Sequence, residues 1–288
     1  MRFRRMWNDF PKTDEVNRVR FEREIQRAIP APTQYTMFFT PRSGSSWVTD
    51  VVTRAERLGM PGEYFNPNMM RKISTALNAT SLEEYRDILT RRRVTKGIFG
   101  QQITHHQLMA VFGSPDRFME LFPQKDCFWL IREDIVLQGV SLFKMQHTNL
   151  SHAPQASDEE FQKREDLFVY DAKEINQWIR HIRAAEIGSE AMFEKFDLRP
   201  FRMSYERNTQ LKPRRLVNIM ARFLDAPKEQ NLKIESVHKK IGTDANQVFA
   251  DRFREENPDF VAQLEEERQP MIEKLRTFKE APQESQAS

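Results

Sequence analysis

Six consecutive residues, Pro41-Arg42-Ser43-Gly44-Ser45-Ser46, put one arginine, one glycine and three serines between two stretches of different character. Before them, Tyr35-Thr36-Met37-Phe38-Phe39-Thr40 is a short apolar run of strand formers. After them, Trp47 to Leu58 reads as a helix, with Gly59 where a helix stop is expected. A strand, a tight Ser/Gly turn and a helix together suit a phosphate-like anion. The turn offers consecutive backbone N–H groups, and the helix N-terminus adds a partial positive charge. Gly44 lets the backbone approach an anion closely. Ser45 and Ser46 can cap the helix and donate hydroxyl hydrogen bonds. Arg42 adds a fixed, forked cation. By itself the loop also fits a well-capped helix after a core strand, with Arg42 exposed. The nucleotide-triphosphatase pattern GxxxxGK followed by Ser or Thr is absent, since no Gly-Lys-Ser/Thr occurs in the chain. The loop therefore suits a phosphate-like group that needs no metal.

The elements that must position this loop follow from the pattern around it. Further strand candidates are Gly97–Ile103, Cys127–Ile131 and Phe201–Ser204. Helical stretches separate them, around 81–92, 105–122, 134–149, 158–197 and 213–224. Continuous apolar strands alternating with helices predict an α/β fold: three layers, P-loop-like, with a parallel central sheet flanked by helices. Val16, Val19, Ile25 and Ile29 are spaced for an amphipathic helix over 14–29, which Pro30 and Pro32 stop. Ala245–Glu256 and residues 260–279 read as two more helices, the second very charged, and the last residues as a disordered tail. The expected organisation is a helical N-terminal extension over 1–33, one domain over 34–260, and a charged C-terminal helix and tail over 261–288.

Composition narrows the classes. The chain has 288 residues, 39% of them hydrophobic, enough to bury one large core. A net charge of +3 calls for no nucleic-acid partner but leaves room for a local basic pocket. The single cysteine, Cys127, sits in the apolar run CFWLI and reads as a buried small hydrophobe. One cysteine allows no internal disulfide, and no run is long and apolar enough to span a membrane. The basic N-terminus lacks an apolar segment, so no signal peptide is read and the cytoplasm is the expected compartment. Six histidines without an HExxH pattern, and one cysteine, predict no metal site.

The stretch TPRSGSSWVTDVV, followed by GMPGEYFNP, resembles the start of the bacterial trehalose 2-sulfotransferase-like family, whose sulfuryl donor is 3′-phosphoadenosine 5′-phosphosulfate (PAPS). FWLIREDIVLQGVSLFKMQHT resembles that family's second donor motif. Ser204-Tyr205-Glu206, His238-Lys239-Lys240-Ile241-Gly242 and VFADRFRE are similar to its later segments. The resemblance implies that Arg42, Ser43, Gly44, Ser45 and Ser46 hold the 5′-phosphosulfate and that Arg132 and Ser141 hold the 3′-phosphate. It implies that Lys239 and Lys240 help on the 3′ side, that Glu63 is the general base, and that the chain can form a homodimer. Arg132 follows the strand 127–131, so it falls at a carboxyl edge of the sheet, where open α/β folds bind ligands. The departure is at Gly100-Gln101-Gln102-Ile103, where glutamine stands in place of an expected lysine. Lys96 could replace it only with a shifted register.

Transfer of a sulfuryl group makes the demands of phosphoryl transfer: alignment of the attacking and leaving oxygens, and stabilisation of charge. Arg42 is expected to stabilise charge on the leaving phosphate. An alcohol acceptor needs a base, and Pro61-Gly62 form a turn that can return Glu63 to the site. His105 and His106, following the strand 97–103, are rival bases or acceptor contacts. Phe65, Tyr85, His147 and Trp178 are candidate pocket walls. The acceptor is a hydroxyl of a carbohydrate, a lipid or a small metabolite. The competing readings are a P-loop-type kinase or NTPase, disfavoured by the missing lysine, and a non-catalytic binding protein on the same fold, which Gln102 keeps open.

Overall fold

Apolar side chains fall on both faces of the longer strands, so each strand needs cover on two sides. The computed structural model describes residues 7–148, 168–227, 234, 236 and 244–276. Its five-stranded sheet has the order β2-β3-β1-β4-β5, formed by β1 (Thr33–Phe39), β2 (Val94–Thr95), β3 (Ile98–Ile103), β4 (Cys127–Ile131) and β5 (Phe201–Ser204). β1 is central and pairs in parallel with β3 (Thr36 opposite Gln101) and β4 (Thr36 opposite Cys127). β4 pairs in parallel with β5. The expected parallel sheet is thus present, with one antiparallel addition: the two-residue β2 at the β3 edge.

Strand alternation sorts the core into two layers. Phe38, Phe99, Ile103, Cys127, Trp129 and Ile131 join one cluster. Over it lie α4 (Leu82–Arg92), α5 (His105–Phe112) and α6 (Pro115–Leu121). Tyr35, Met37, Phe39, Phe128 and Leu130 join the other cluster. It is covered by α2 (Ser45–Arg54) and α10 (Pro213–Phe223), the latter following the short α9 (Tyr205–Asn208). A third cluster binds α7 (Ile135–Thr148), α8 (Ala172–Lys195), α11 (Asp244–Glu256) and α12 (Pro258–Arg276). α12 also sends Met271 and Leu275 into the first core. It runs unbroken across position 260, where the sequence pattern suggested a domain edge. Cys127 is buried, and burial pushes its thiol up to about 12, which makes it an inert filler.

Several expectations are corrected. The N-terminal helix α1 (Glu15–Arg27) does not bury Val16, Val19 or Ile29, which are exposed. It buries Phe21, with Arg18 paired to Glu84 of α4 at 2.7 Å. The segment 105–122 is two helices, not one: Gly113 in the left-handed region ends α5, and Ser114-Pro115 starts α6. The helix after the serine loop stops at Arg54, before Gly59. Gly59 instead lies against the β3 backbone, where a Cβ would stand 2.8 Å from Gly100 N and Ile98 O. Helix α3 (Pro67–Ala76), capped by Asn66, had no counterpart in the sequence reading. Residues 158–167 and 277–279 of the expected helices lie outside the described residues.

Candidate active site

The serine loop leaves β1 at the carboxyl edge of the sheet. Arg42 and Gly44 both adopt the left-handed region, at φ 65° and 82°. For an arginine this is a costly backbone state, of the kind retained where a loop must aim its groups. Gly44 has a second constraint, since a Cβ there would lie 2.7 Å from Cδ2 of Tyr205. The start of the loop is tied to α7: Gln138 Nε2 donates to Thr40 Oγ1 at 2.8 Å and to Pro41 O at 2.6 Å. Ser43 is fully buried, and its Oγ has no hydrogen-bond partner among the described residues. A buried hydroxyl left in this state at a helix N-terminus indicates a ligand position.

Arg42, Arg132 and Ser141, far apart in sequence, converge here. Arg42 Nε donates to Ser141 Oγ at 3.1 Å. Burial first, and the like charge of Arg132 second, lower the affinity of Arg42 for its proton. The Arg132 guanidinium lies 4.8 Å above the Tyr205 ring and 3.5 Å from Glu206 Oε1. Glu206 also accepts the amides of Glu133 at 2.9 Å and Asp134 at 3.5 Å, which hold the β4–α7 turn. Two mutually repelling arginines around an unsatisfied hydroxyl and a helix N-terminus make a cradle for an anion with more than one negative group. Tyr205 stood out in the sequence only as part of the family-like Ser204-Tyr205-Glu206 segment, with no role assigned to it. It sits between the loop glycine and Arg132, and its place directly after β5 was the available signal. Lys144, one turn beyond Ser141, is buried, with Nζ 3.4 Å from Asn246 Oδ1 of α11.

Glu63 reaches the same sheet edge by a backbone route. Gly62 O accepts from Gln102 N at 3.0 Å, docking the 59–63 segment along β3. Asn66 Nδ2 and Gln107 Nε2 then both donate to Glu63 Oε2, at 2.9 and 2.7 Å. Gln107 is also the third residue of α5 in a capping box with Thr104, so its amide is fixed from both ends. Oε1 of Glu63 is engaged by no described residue. The two histidines at the start of α5 turn to α8 instead. His105 lies so close to Gly188 that any side chain there would collide with it. His106 Nε2 is 3.0 Å from His181 O, and its ring stacks on that of His181 at 3.9 Å. Trp178 meets His181 edge-on. Burial first and His106 second lower the His181 pKa to about 4, and lower that of His105.

The remaining expected residues separate. Phe65, expected as a substrate contact and pocket wall, is fully buried in the core among Tyr85, Phe112 and Phe122. Tyr85 is buried too, donating to Tyr64 O at 2.7 Å. His147 pairs with Glu174 at 2.7 Å at the surface. Lys96 lies in the β2–β3 turn at the amino end of β3, so the register excludes it as a substitute for Gln102. Gln102 itself is buried at the carboxyl end, and its Oε1 has no partner among the described residues. Lys239 and Lys240 lie outside the described residues. No group of His, Cys, Asp and Glu among the described residues could hold a metal ion, and no described helix is long and apolar enough to cross a membrane.

The family model described as Stf0 sulphotransferase matches residues 34–256. That span takes in the serine loop, the Glu63 segment, Arg132, Ser141 and Tyr205. No curated protein matches the sequence.

Proposed function

Because the chain belongs to the Stf0 sulphotransferase family, an enzyme family that transfers sulfuryl groups, we propose that it uses PAPS as donor, a hydroxyl as acceptor and Glu63 as general base. The observation that carries this reading is the meeting of Arg42, Arg132 and Ser141 beside the buried, unpartnered Ser43 hydroxyl. PAPS has two phosphate-bearing ends, and the serine loop and the Arg132–Ser141 pair offer one group of partners for each. The backbone N–H groups of the loop and the hydroxyls of Ser43, Ser45 and Ser46 would hold the 5′ end. Arg132 and Ser141 would hold the 3′-phosphate. Arg42, bonded to Ser141 yet rooted in the loop, would join the two. The donor supplies an activated sulfuryl group on a phosphate leaving group.

On the acceptor side, Asn66 and Gln107 occupy one oxygen of Glu63, leaving Oε1 to take the proton of the attacking hydroxyl. His106, with His181 and Trp178, would form an aromatic wall on the neighbouring helix. The acceptor hydroxyl belongs to a carbohydrate, a lipid or a small metabolite. Thermal unfolding with added nucleotides tests the donor assignment. 3′-Phosphoadenosine 5′-phosphate (PAP) is expected to raise the melting temperature without metal. Stabilisation by magnesium-ATP and none by PAP would reject the reading in favour of a nucleotide triphosphatase. Binding of PAP without sulfate transfer to any supplied hydroxyl would favour a binding protein.

A further inference from the structure

Past Ile131, which pairs with Ser204, β4 has no strand partner, and the carbonyls of Arg132 and Glu133 need donors from elsewhere. They find them in one side chain. Arg268 of α12 donates from Nη2 to Arg132 O and from Nη1 to Glu133 O, both at 2.7 Å. The same guanidinium forms a two-pronged pair with Glu186 of α8, Nε to Oε2 at 3.0 Å and Nη2 to Oε1 at 2.9 Å. Both side chains are almost wholly buried, Arg268 at 3% exposure and Glu186 at 0%.

A buried ion pair alone says little about function, because desolvation offsets much of its attraction. Here the pair is aimed. Arg268 holds the carbonyls of the β4–α7 turn from one side, while Glu206 holds its Glu133 and Asp134 amides from the other. The residue at the centre of this two-sided grip is Arg132. Its side chain is further confined by the Tyr205 ring. Lysine could neither span both carbonyls nor form the planar pair with Glu186. Arg268 also lies beyond residue 256, where the family match ends.

We propose that Arg268, neutralised by Glu186, is a positioning residue for Arg132, so that helix α12 completes the 3′-phosphate site without touching the donor. The inference rests on the assignment of Arg132 to the 3′-phosphate. A ligand pair separates the two claims: PAP carries the 3′-phosphate and adenosine 5′-phosphate (AMP) lacks it. Calorimetry gives the ratio of their dissociation constants.

Arg132→Ala is expected to collapse that ratio towards one; if the ratio is unchanged, the assignment of Arg132 itself is wrong. Given that collapse, Arg268→Met is expected to lower the ratio at least tenfold while AMP affinity stays within about threefold. A lower melting temperature with an unaltered ratio would show Arg268 to be only a structural clamp and overturn the proposal. Arg268→Lys, which keeps the charge opposite Glu186, is the second variant should Arg268→Met fail to fold. It is expected to lower the ratio in the same direction, and an unchanged ratio there also overturns the proposal. Hydrogen exchange without ligand gives an independent reading. The Glu133 and Asp134 amides are expected to exchange faster in the Arg268 variants, and unchanged exchange would count against the grip.

Discussion

At the residue scale the two halves of the site are built differently. The proposed donor side is made from positive charge and backbone, the proposed acceptor side from one carboxylate held by neutral amides. Neutral amides orient Glu63 without bringing a cation against it. Glu63→Gln preserves the shape and removes the proposed base. Turnover is expected to fall by about 10²–10⁴, with the PAP dissociation constant unchanged within twofold. Steady-state kinetics and calorimetry on the same preparation check both parts, and an active variant would move the base elsewhere. The serine loop was plain in the sequence because its residue types carry their own logic: an arginine, a glycine and hydroxyls ahead of a helix. The role of Tyr205 was not, because the residue fills the space between Gly44 and Arg132, and only the folded chain brings those two together.

At the scale of elements, helix α5 has two duties that can be separated. Thr104 caps the helix, while Gln107 both completes the cap and holds Glu63. Thr104→Ala is expected to cost about 1 kcal/mol of stability and leave turnover nearly intact. Gln107→Leu is expected to cost a similar amount and also to lower turnover by about tenfold, a barrier change of roughly 1.4 kcal/mol. Chemical denaturation and kinetics on the two variants distinguish the roles. The contact of α5 with α8 carries a pH signature. The His181 pKa is depressed from 6.5 to about 4, so below pH 6.5 the unfolded chain takes up a proton that the folded chain refuses. Stability from this group is therefore complete above pH 6.5 and declines as pH falls towards 4. His181→Asn is expected to flatten that part of the denaturation profile relative to the parent protein.

Elements were legible where burial and period agreed. β4 and β5 were read to the residue, β4 from its apolar run CFWLI, and α7 and α10 to within a residue or two at their ends. Two residues of β2 carry no pattern. α3 buries only Met70 and Ser74, too sparse a stripe to read, although Asn66-Pro67 was a usable start signal. On α1 the valines suggested one face, but the long Phe21 found the deeper pocket and turned the helix accordingly.

At the scale of the molecule, the proposed donor site lies at the junction of β1, β4, β5 and their following helices. The N-terminal segment lies over the other side of the first core, where Trp7, Phe10 and Phe21 meet the Tyr85 cluster. Removing residues 1–28 is expected to lower stability by about 3–5 kcal/mol, from the loss of this apolar burial. The PAP dissociation constant of the folded fraction is expected to change by less than about threefold. Denaturant titration with and without PAP checks this, and a large loss of affinity would show that the segment reaches the donor site.

The central place of β1 has a kinetic consequence. Both its neighbours are parallel, and each is reached only after a long excursion of chain: Thr33 must find Ile98, and Thr36 must find Cys127. Such distant pairings pay loop-closure entropy before any contact rewards them, so they form late on the way to the native state. The serine loop can cradle nothing until they exist, because Ser141 and Arg132 are delivered to it by β4 and the helix that follows. Local helices such as α8 can therefore assemble early in refolding, while competence to bind the proposed donor is expected to arrive with the last and slowest phase.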